Sequence, residues 1–186
     1  MMRIISGKAR GTKLKTLEGS NTRPTLERVK EALFSMIQFD ISGARVLDLF
    51  AGSGQLALEA ISRGASYADL ADSSKDAVSV IRENIKKTHS EEKTTLFFGD
   101  YKQFLLRAKN KYDLVFLDPP YAGEMLLDAL GMILQRDLLS EKAVVVCEMA
   151  ADDACIEGAV LDLAGERLSL RKNNVYSKSR IMIFER

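Results

Sequence analysis

Asp118-Pro119-Pro120-Tyr121 follows the apolar run Tyr112-Asp113-Leu114-Val115-Phe116-Leu117, and this order of residue types outlines a site before any fold is drawn. The run is rich in β-branched and aromatic residues and ends in two prolines, so it reads as a buried strand with an abrupt carboxyl end. The prolines stiffen the backbone and remove two N–H donors. The carbonyls and the Asp118 carboxylate therefore project as acceptors beyond the sheet edge. Acceptors suit a group with hydrogens to give, such as the exocyclic amine of a nucleobase, and Tyr121 offers a flat face for the ring carrying it.

A second constellation lies upstream. Gly52-Ser53-Gly54 stands between a strand pattern and a helix pattern, where glycines let a ligand approach the backbone. Ala57 fills the third small position of G-x-G-x-x-G/A, and Asp72 lies twenty positions beyond Gly52, the separation at which an acidic residue meets ribose hydroxyls. Alone, this motif does not separate a dinucleotide from another adenosine-bearing cofactor. The acceptor cluster at Asp118 favours methyl transfer, because hydride transfer has no use for acceptors facing an amine. Asp48, Asp72, Asp100 and Asp118 all fall at strand ends. Four carboxylates converging on one rim are hard to explain as packing.

The elements that must position these residues form an alternating series. Short apolar runs over 45–50, 67–72, 94–98, 112–117 and 143–148 alternate with helical patterns over 55–63, 74–87, 101–109 and 124–136. That is the signature of a doubly wound α/β sheet, which binds ligands off the carboxyl ends of its strands. Residues 166–171 and 181–185 read as two antiparallel strands joined through Asn173-Asn174, giving seven strands. Ahead of the sheet, 2–6 and 12–16 read as a two-stranded ribbon, and Thr25 as the N-cap of a helix running to about residue 38.

Composition narrows the function. At 186 residues and 46% hydrophobic content the chain can bury a full core. Nothing is apolar enough to span a membrane or act as a secretory signal. Cys147 and Cys155 make no framework and have no metal-ligand spacing, which implies a reduced, cytoplasmic protein. A lone His89, read as a solvated surface imidazole, leaves no basis for a histidine metal site or catalytic triad. Residues 1–30 carry eight Lys or Arg against two Glu, so this end is +6 and the other 156 residues are −5. A basic arm on an acidic body is an electrostatic footprint for a phosphate backbone, or equally a solubilising terminus.

Val46-Leu47-Asp48-Leu49-Phe50-Ala51-Gly52-Ser53-Gly54 resembles the cofactor motif of class I S-adenosylmethionine-dependent methyltransferases, and Asp118-Pro119-Pro120-Tyr121 the catalytic motif of their amino-methylating members. Arg3-Ile4-Ile5-Ser6-Gly7, Arg23-Pro24-Thr25, Glu31-Ala32-Leu33-Phe34 and Leu58-Glu59-Ala60-Ile61-Ser62-Arg63-Gly64-Ala65 resemble the RsmD family, bacterial enzymes that methylate a guanine N2 in small-subunit ribosomal RNA. The resemblance spans nearly the whole chain. It implies a Rossmann-like methyltransferase domain over 41–186 behind a basic extension over 1–40. It also implies S-adenosylmethionine as cofactor, no metal, a monomer, and 16S RNA or a partly assembled 30S particle as partner.

Carried over by position, Gly52 and Gly54, with Phe50 and Ser53 in the same loop, would meet the cofactor's methionine portion, with Asp48 beneath them. Asp72 would take the ribose, Asp100 the adenine amino group, and Asp118, Pro119, Pro120 and Tyr121 the target amine. Arg3, Lys8, Arg10, Lys13, Lys15 and Arg23 would grip phosphates. Two departures stand out: Gln55-Leu56-Ala57 replaces the more usual Ala-Leu-Gly, and Asp72 replaces Glu, shortening the reach to the ribose. The alternatives are adenine-N6 methylation of DNA or RNA, and a non-catalytic nucleotide-binding module.

Overall fold

Strand runs followed by amphipathic segments fold here as strands and crossover helices on one sheet. The structure, a computed structural model, describes residues 2–17, 24–120, 122–165 and 167–186. Arg23 and Tyr121, both singled out above, lie outside the described residues, as does Glu166. In chain order the elements are α1 (Pro24–Met36), β1 (Arg45–Asp48), α2 (Gln55–Ser62), β2 (Tyr67–Asp72), α3 (Lys75–Lys87), β3 (Thr94–Phe98) and α4 (Tyr101–Arg107). They continue with β4 (Tyr112–Leu117), α5 (Ala122–Gln135), β5 (Leu139–Ala150), α6 (Ala154–Gly165), β6 (Ser169–Tyr176) and β7 (Ser179–Glu185).

The strand order is β3-β2-β1-β4-β5-β7-β6. The first five strands are parallel, and β7 runs antiparallel to both β5 and β6. The winding reverses between β1 and β4, which opens a crevice at their carboxyl ends. α1, α2 and α3 pack on one face over Val46, Leu70, Phe116, Val146 and Ile183. The helices α4, α5 and α6 cover the other, over Leu47, Val115, Val145 and Phe184. No helix of the described residues is long and apolar enough to cross a membrane.

Four local expectations are corrected. The arm's two stretches do pair antiparallel around a turn, but over fewer residues than expected: the Arg3–Lys13 bridge is flanked by the Ile4 N–H donating to the Thr12 carbonyl at 3.0 Å and the Leu14 N–H to the Met2 carbonyl at 2.9 Å. Thr25 is not the cap, because α1 begins at Pro24, whose missing N–H costs nothing at a first helical position. Asn173 and Asn174 lie inside β6, opposite Met182 and Ile181, and the turn falls at Ser177-Lys178 with Ser177 at φ 56°. The helix α6 had no counterpart in the sequence reading. Its residues are apolar nearly all round and interrupted by Gly158, so no stripe marks a helix.

The arm is built into the α1–α3 face. Ile4 and Leu14 are buried in that core. Gly7 adopts φ 84°, and a Cβ there would fall 1.8 Å from the Ser62 carbonyl oxygen, so only glycine lets the arm lie on the end of α2. Glu59, wholly buried in α2, accepts the Ile5 N–H at 2.7 Å, the Ser6 N–H at 3.0 Å and the Arg63 Nε–H at 2.8 Å. Lys30 Nζ stands 3.5 Å from Glu59 and donates to the Arg3 carbonyl at 2.7 Å. Lys30 therefore belongs to the interior rather than to the basic surface its sequence position suggests. Burial lowers its pKa against the opposing pull of Glu59.

Candidate active site

The crevice between β1 and β4 opens into a cavity of about 380 Å³. That is the size of a small-molecule site (roughly 300–1,000 Å³). Each strand tip supplies part of the wall: Phe50 and Gly52 after β1, Asp72 and Ser74 after β2, Asp100 and Tyr101 after β3, Asp118 and Pro120 after β4. Leu17, from the arm, and Met125, from α5, complete it. The sequence reading brought together Phe50, Gly52, Asp72, Asp100 and Asp118, and the fold does so. It offered no signal for Leu17 or Met125, which arrive from elements whose docking no local pattern encodes.

Gly52, at φ 57°, has open space where a Cβ would stand. Its N–H donates to Asp72 Oδ2 at 2.8 Å, while Asp72 Oδ1 accepts the Ser74 N–H at 2.8 Å. Asp72 thus ties the first loop to the second, and each oxygen keeps a lone pair for a ligand. Asp100 caps α4 by accepting the Lys102 N–H at 2.8 Å and is otherwise exposed. The rings of Phe50 and Tyr101, 5.2 Å apart, form an aromatic wall beside it. Gly54 points the other way: a Cβ there would meet Leu70 and Ile81 at 3.2 and 3.4 Å, so this glycine serves core packing and its left-handed turn. Ser53 is buried, and its carbonyl accepts from Asn84 Nδ2 at 2.9 Å.

Asp48 lies buried under the loop and accepts the Ala57 N–H at 3.2 Å. Burial pushes its pKa up to about 7, the Ala57 hydrogen bond opposes, and Asp72 adds repulsion. Asp118 opens onto the cavity between buried Pro119 behind it and exposed Pro120 ahead. Its pKa rises well above the usual carboxylate range, first through crowding by the protein and then through repulsion from Glu148 and Asp48. Asp118 is exposed to water through the cavity, which tempers that rise. The sequence pattern ends its fifth strand at Glu148 but gives it no role, because nothing local places that carboxylate beside Asp118.

On the arm, Lys8, Arg10 and Lys13 are exposed and form no ion pair among the described residues. Arg3 pairs with Glu27 at 2.8 Å and Lys15 with Glu83 at 2.7 Å. Among the described residues no group of three or more His, Cys, Asp or Glu could hold a metal ion. His89 is exposed at φ 53°, where it ends α3. Cys147 is buried, which raises its thiol pKa to about 12, and Cys155 is exposed.

The family model described as conserved hypothetical protein 95 matches residues 2–184. The chain is 37% identical over 150 residues to YlbH of Bacillus subtilis, spanning 79% of this chain and 82% of that one. It is 33% identical over 158 residues to ribosomal RNA small subunit methyltransferase D of Haemophilus influenzae, spanning 83% of this chain and 82% of that one. Among solved structures it is similar to yhhF of Escherichia coli, with a TM-score of 0.87 and 27% identity over 100% of this chain and 97% of that one. The sheet is that of the class I methyltransferases. With residues 2–184 matched, the chain belongs to the conserved hypothetical protein 95 family, the RsmD family of methyltransferases that its motifs resemble.

Proposed function

We propose that the protein transfers a methyl group from S-adenosylmethionine to the N2 amine of a guanine in small-subunit ribosomal RNA. The observation that carries this is the meeting of the Gly52 loop and the Asp118-Pro119-Pro120 tip across one cavity. The residues fit the cofactor: open space at Gly52 admits a chain against the backbone, an aromatic wall faces a purine, and carboxylates surround the place of a cation. Bound S-adenosylmethionine supplies a methyl group already activated on a positively charged sulfur.

The chain's own residues align and hold. Asp72 takes ribose hydroxyls with its free lone pairs, Asp100 accepts from the adenine amine, and the loop over Asp48 seats the methionine portion. The Asp118 carboxylate and the Pro119 carbonyl accept the target amine's hydrogens, steering the nitrogen lone pair toward the reacting carbon. Tyr121 stacks on a guanine swung out of its helix. Asp118 need not remove the proton, because the amine becomes acidic only once methylated and water can take it then. Residues 1–40 act as the RNA-contacting extension of the methyltransferase body 41–186, with Lys8, Arg10 and Lys13 free to meet phosphates. The setting is the cytoplasm, where that RNA is.

Tritiated methyl transfer to stripped small ribosomal subunits, with naked 16S RNA, DNA and free protein as parallel acceptors, tests the reading. Label recovered as N2-methylguanosine in 16S RNA is the expected outcome. Label in N6-methyladenosine, or no transfer to any acceptor, would overturn it.

A further inference from the structure

The guanine reading leaves open how the site tells guanine from other amine-bearing bases, and the strand register points to a residue. β4 and β5 run parallel, with Leu117 paired to Cys147 as their last partners, so Asp118 and Glu148 are the next residues along each strand. Leu114 and Phe116 of β4 and Val144 and Val146 of β5 all face the α1–α3 core. Alternation along a strand then puts Asp118 and Glu148 side by side on that same face.

The neighbouring strand extends the row. Glu148 lies opposite Ile181 of β7, and Ile181 and Ile183 share this face, so Ser179 does too. Ser179 stands close enough to Glu148 to favour its ionised form. Across the β6–β7 turn, Tyr176 pairs with Ser179 and packs partly buried against the same core. Asp118, Glu148, Ser179 and Tyr176 thus stand in line across four strand tips.

Charge makes this row unusual for a protein that must receive a polyanion. Neither Asp118 nor Glu148 has a cationic partner among the described residues. Arg180, the next cation along β7, lies on the opposite face and is committed to Glu157 at 2.8 Å. Desolvation raises the pKa of both carboxylates, and for Asp118 repulsion from Glu148 adds to it. Two adjacent carboxylates without counter-ions suit a ligand edge made of donors. The guanine edge beside its amine is such an edge: N1–H adjoins N2–H₂. Adenine and 2-aminopurine instead present a lone pair at N1, which a carboxylate repels.

We propose that Glu148 accepts the N1–H of the target guanine while Asp118 and the Pro119 carbonyl hold its N2 amine, making Glu148 the residue that selects guanine. This rests on the guanine-N2 reading above. A site built to bond an N–H rejects the analogue lacking it, because its own acceptor is left unpaired.

The test uses the full chain and small subunits reconstituted on 16S RNA carrying, at the position mapped by the transfer experiment, guanine, 2-aminopurine or hypoxanthine. 2-Aminopurine keeps the amine and lacks N1–H, whereas hypoxanthine lacks the amine and sets the background. The wild-type protein should favour guanine over 2-aminopurine in kcat/KM by about 10- to 100-fold, the worth of one hydrogen bond to a charged acceptor. Glu148→Ala should bring that ratio within about threefold of unity by slowing guanine alone. Glu148→Gln, which keeps shape and one neutral acceptor, should fall between the two. A ratio that stays high in both variants, or a loss that strikes both bases equally, would overturn the role of Glu148, as would a wild type that does not discriminate. Failure of the wild type to methylate guanine at N2 at all would instead sink the underlying reading.

Discussion

Asn84 of α3 grips Lys15 of the arm through both backbone polar groups: its Oδ1 accepts the Lys15 N–H at 2.8 Å and its Nδ2 donates to the Lys15 carbonyl at 2.9 Å. The same Nδ2 donates to the Ser53 carbonyl at 2.9 Å, so one buried amide joins the arm to the loop beside the cavity. Two positions beyond Lys15, Leu17 enters the cavity wall. Asn84→Ala would leave the Lys15 and Ser53 backbone groups unpaired, at a cost of about 2–4 kcal/mol. Calorimetric titration with S-adenosylmethionine should show weaker binding in the folded variant, and urea unfolding should show the lost stability. Unchanged affinity would mean that the loop holds itself without the amide.

Glu59 is the other clamp on the arm, and it carries a buried charge. Removing it strands Lys30 beside two unpaired N–H groups, so Glu59→Ala should cost about 3–5 kcal/mol in urea unfolding. Adding Lys30→Met to that variant should recover part of the loss, since the uncompensated cation is then gone. A double variant as unstable as the sum of its parts would show that Lys30 and Glu59 act independently.

The arm's cations divide into committed and available ones. Lys8, Arg10 and Lys13 are the available set, and replacing all three with alanine should flatten the salt dependence of RNA binding. The slope of log K against log salt should fall by about 2–3. Trimming the arm is a poorer test, because Ile4 and Leu14 are core residues and their loss would disturb the fold itself. A triple variant with an unchanged slope would return these side chains to a solubilising role.

How much of this was legible follows from where each signal lives. The sheet was readable because Leu47, Val115 and Val145 sit in apolar runs, the first two closed by glycine or proline and the third by charged residues, and burial on both faces demands such runs. The rim was readable because Asp72, Asp100 and Asp118 end those runs. What escaped were residues whose role depends on distant partners. Glu59 reads as an ordinary helical glutamate until the arm folds over it, and Asn84 as a polar end of α3. Lys30 counts toward the basic arm until its helix turns it inward. Glu148 acquires meaning only when β5 lies beside β4. The helix α6 was missed because it is apolar on most sides, and periodicity is the only helix signal a sequence carries over such a stretch.

Asp118 faces the cavity but braces nothing in the loop that seats the cofactor. Asp118→Ala should therefore abolish methyl transfer while leaving S-adenosylmethionine affinity within about threefold of wild type, because one of several rim carboxylates is lost. Single-turnover transfer and calorimetry, run on the same preparation, separate the two effects. Transfer that persists near the wild-type rate would remove Asp118 from the amine-holding role.

Asp48 makes stability depend on pH in an unusual direction for a carboxylate. Its pKa in the fold, about 7, lies above the value of roughly 3.9 in an unfolded chain. The folded state therefore holds the proton more tightly, and the stabilisation this gives is complete below pH 4. It is lost as pH rises through 7, by up to about 4 kcal/mol. Asp48→Asn keeps an acceptor for the Ala57 N–H and cannot ionise. Urea unfolding at pH 5 and pH 8 should show the variant gaining on the wild type across that interval, with no further gain above it. S-adenosylmethionine should narrow the gap, because a cation near Asp48 favours the ionised form that only the wild type possesses. A stability difference independent of pH would mean that Asp48 stays ionised beneath the loop.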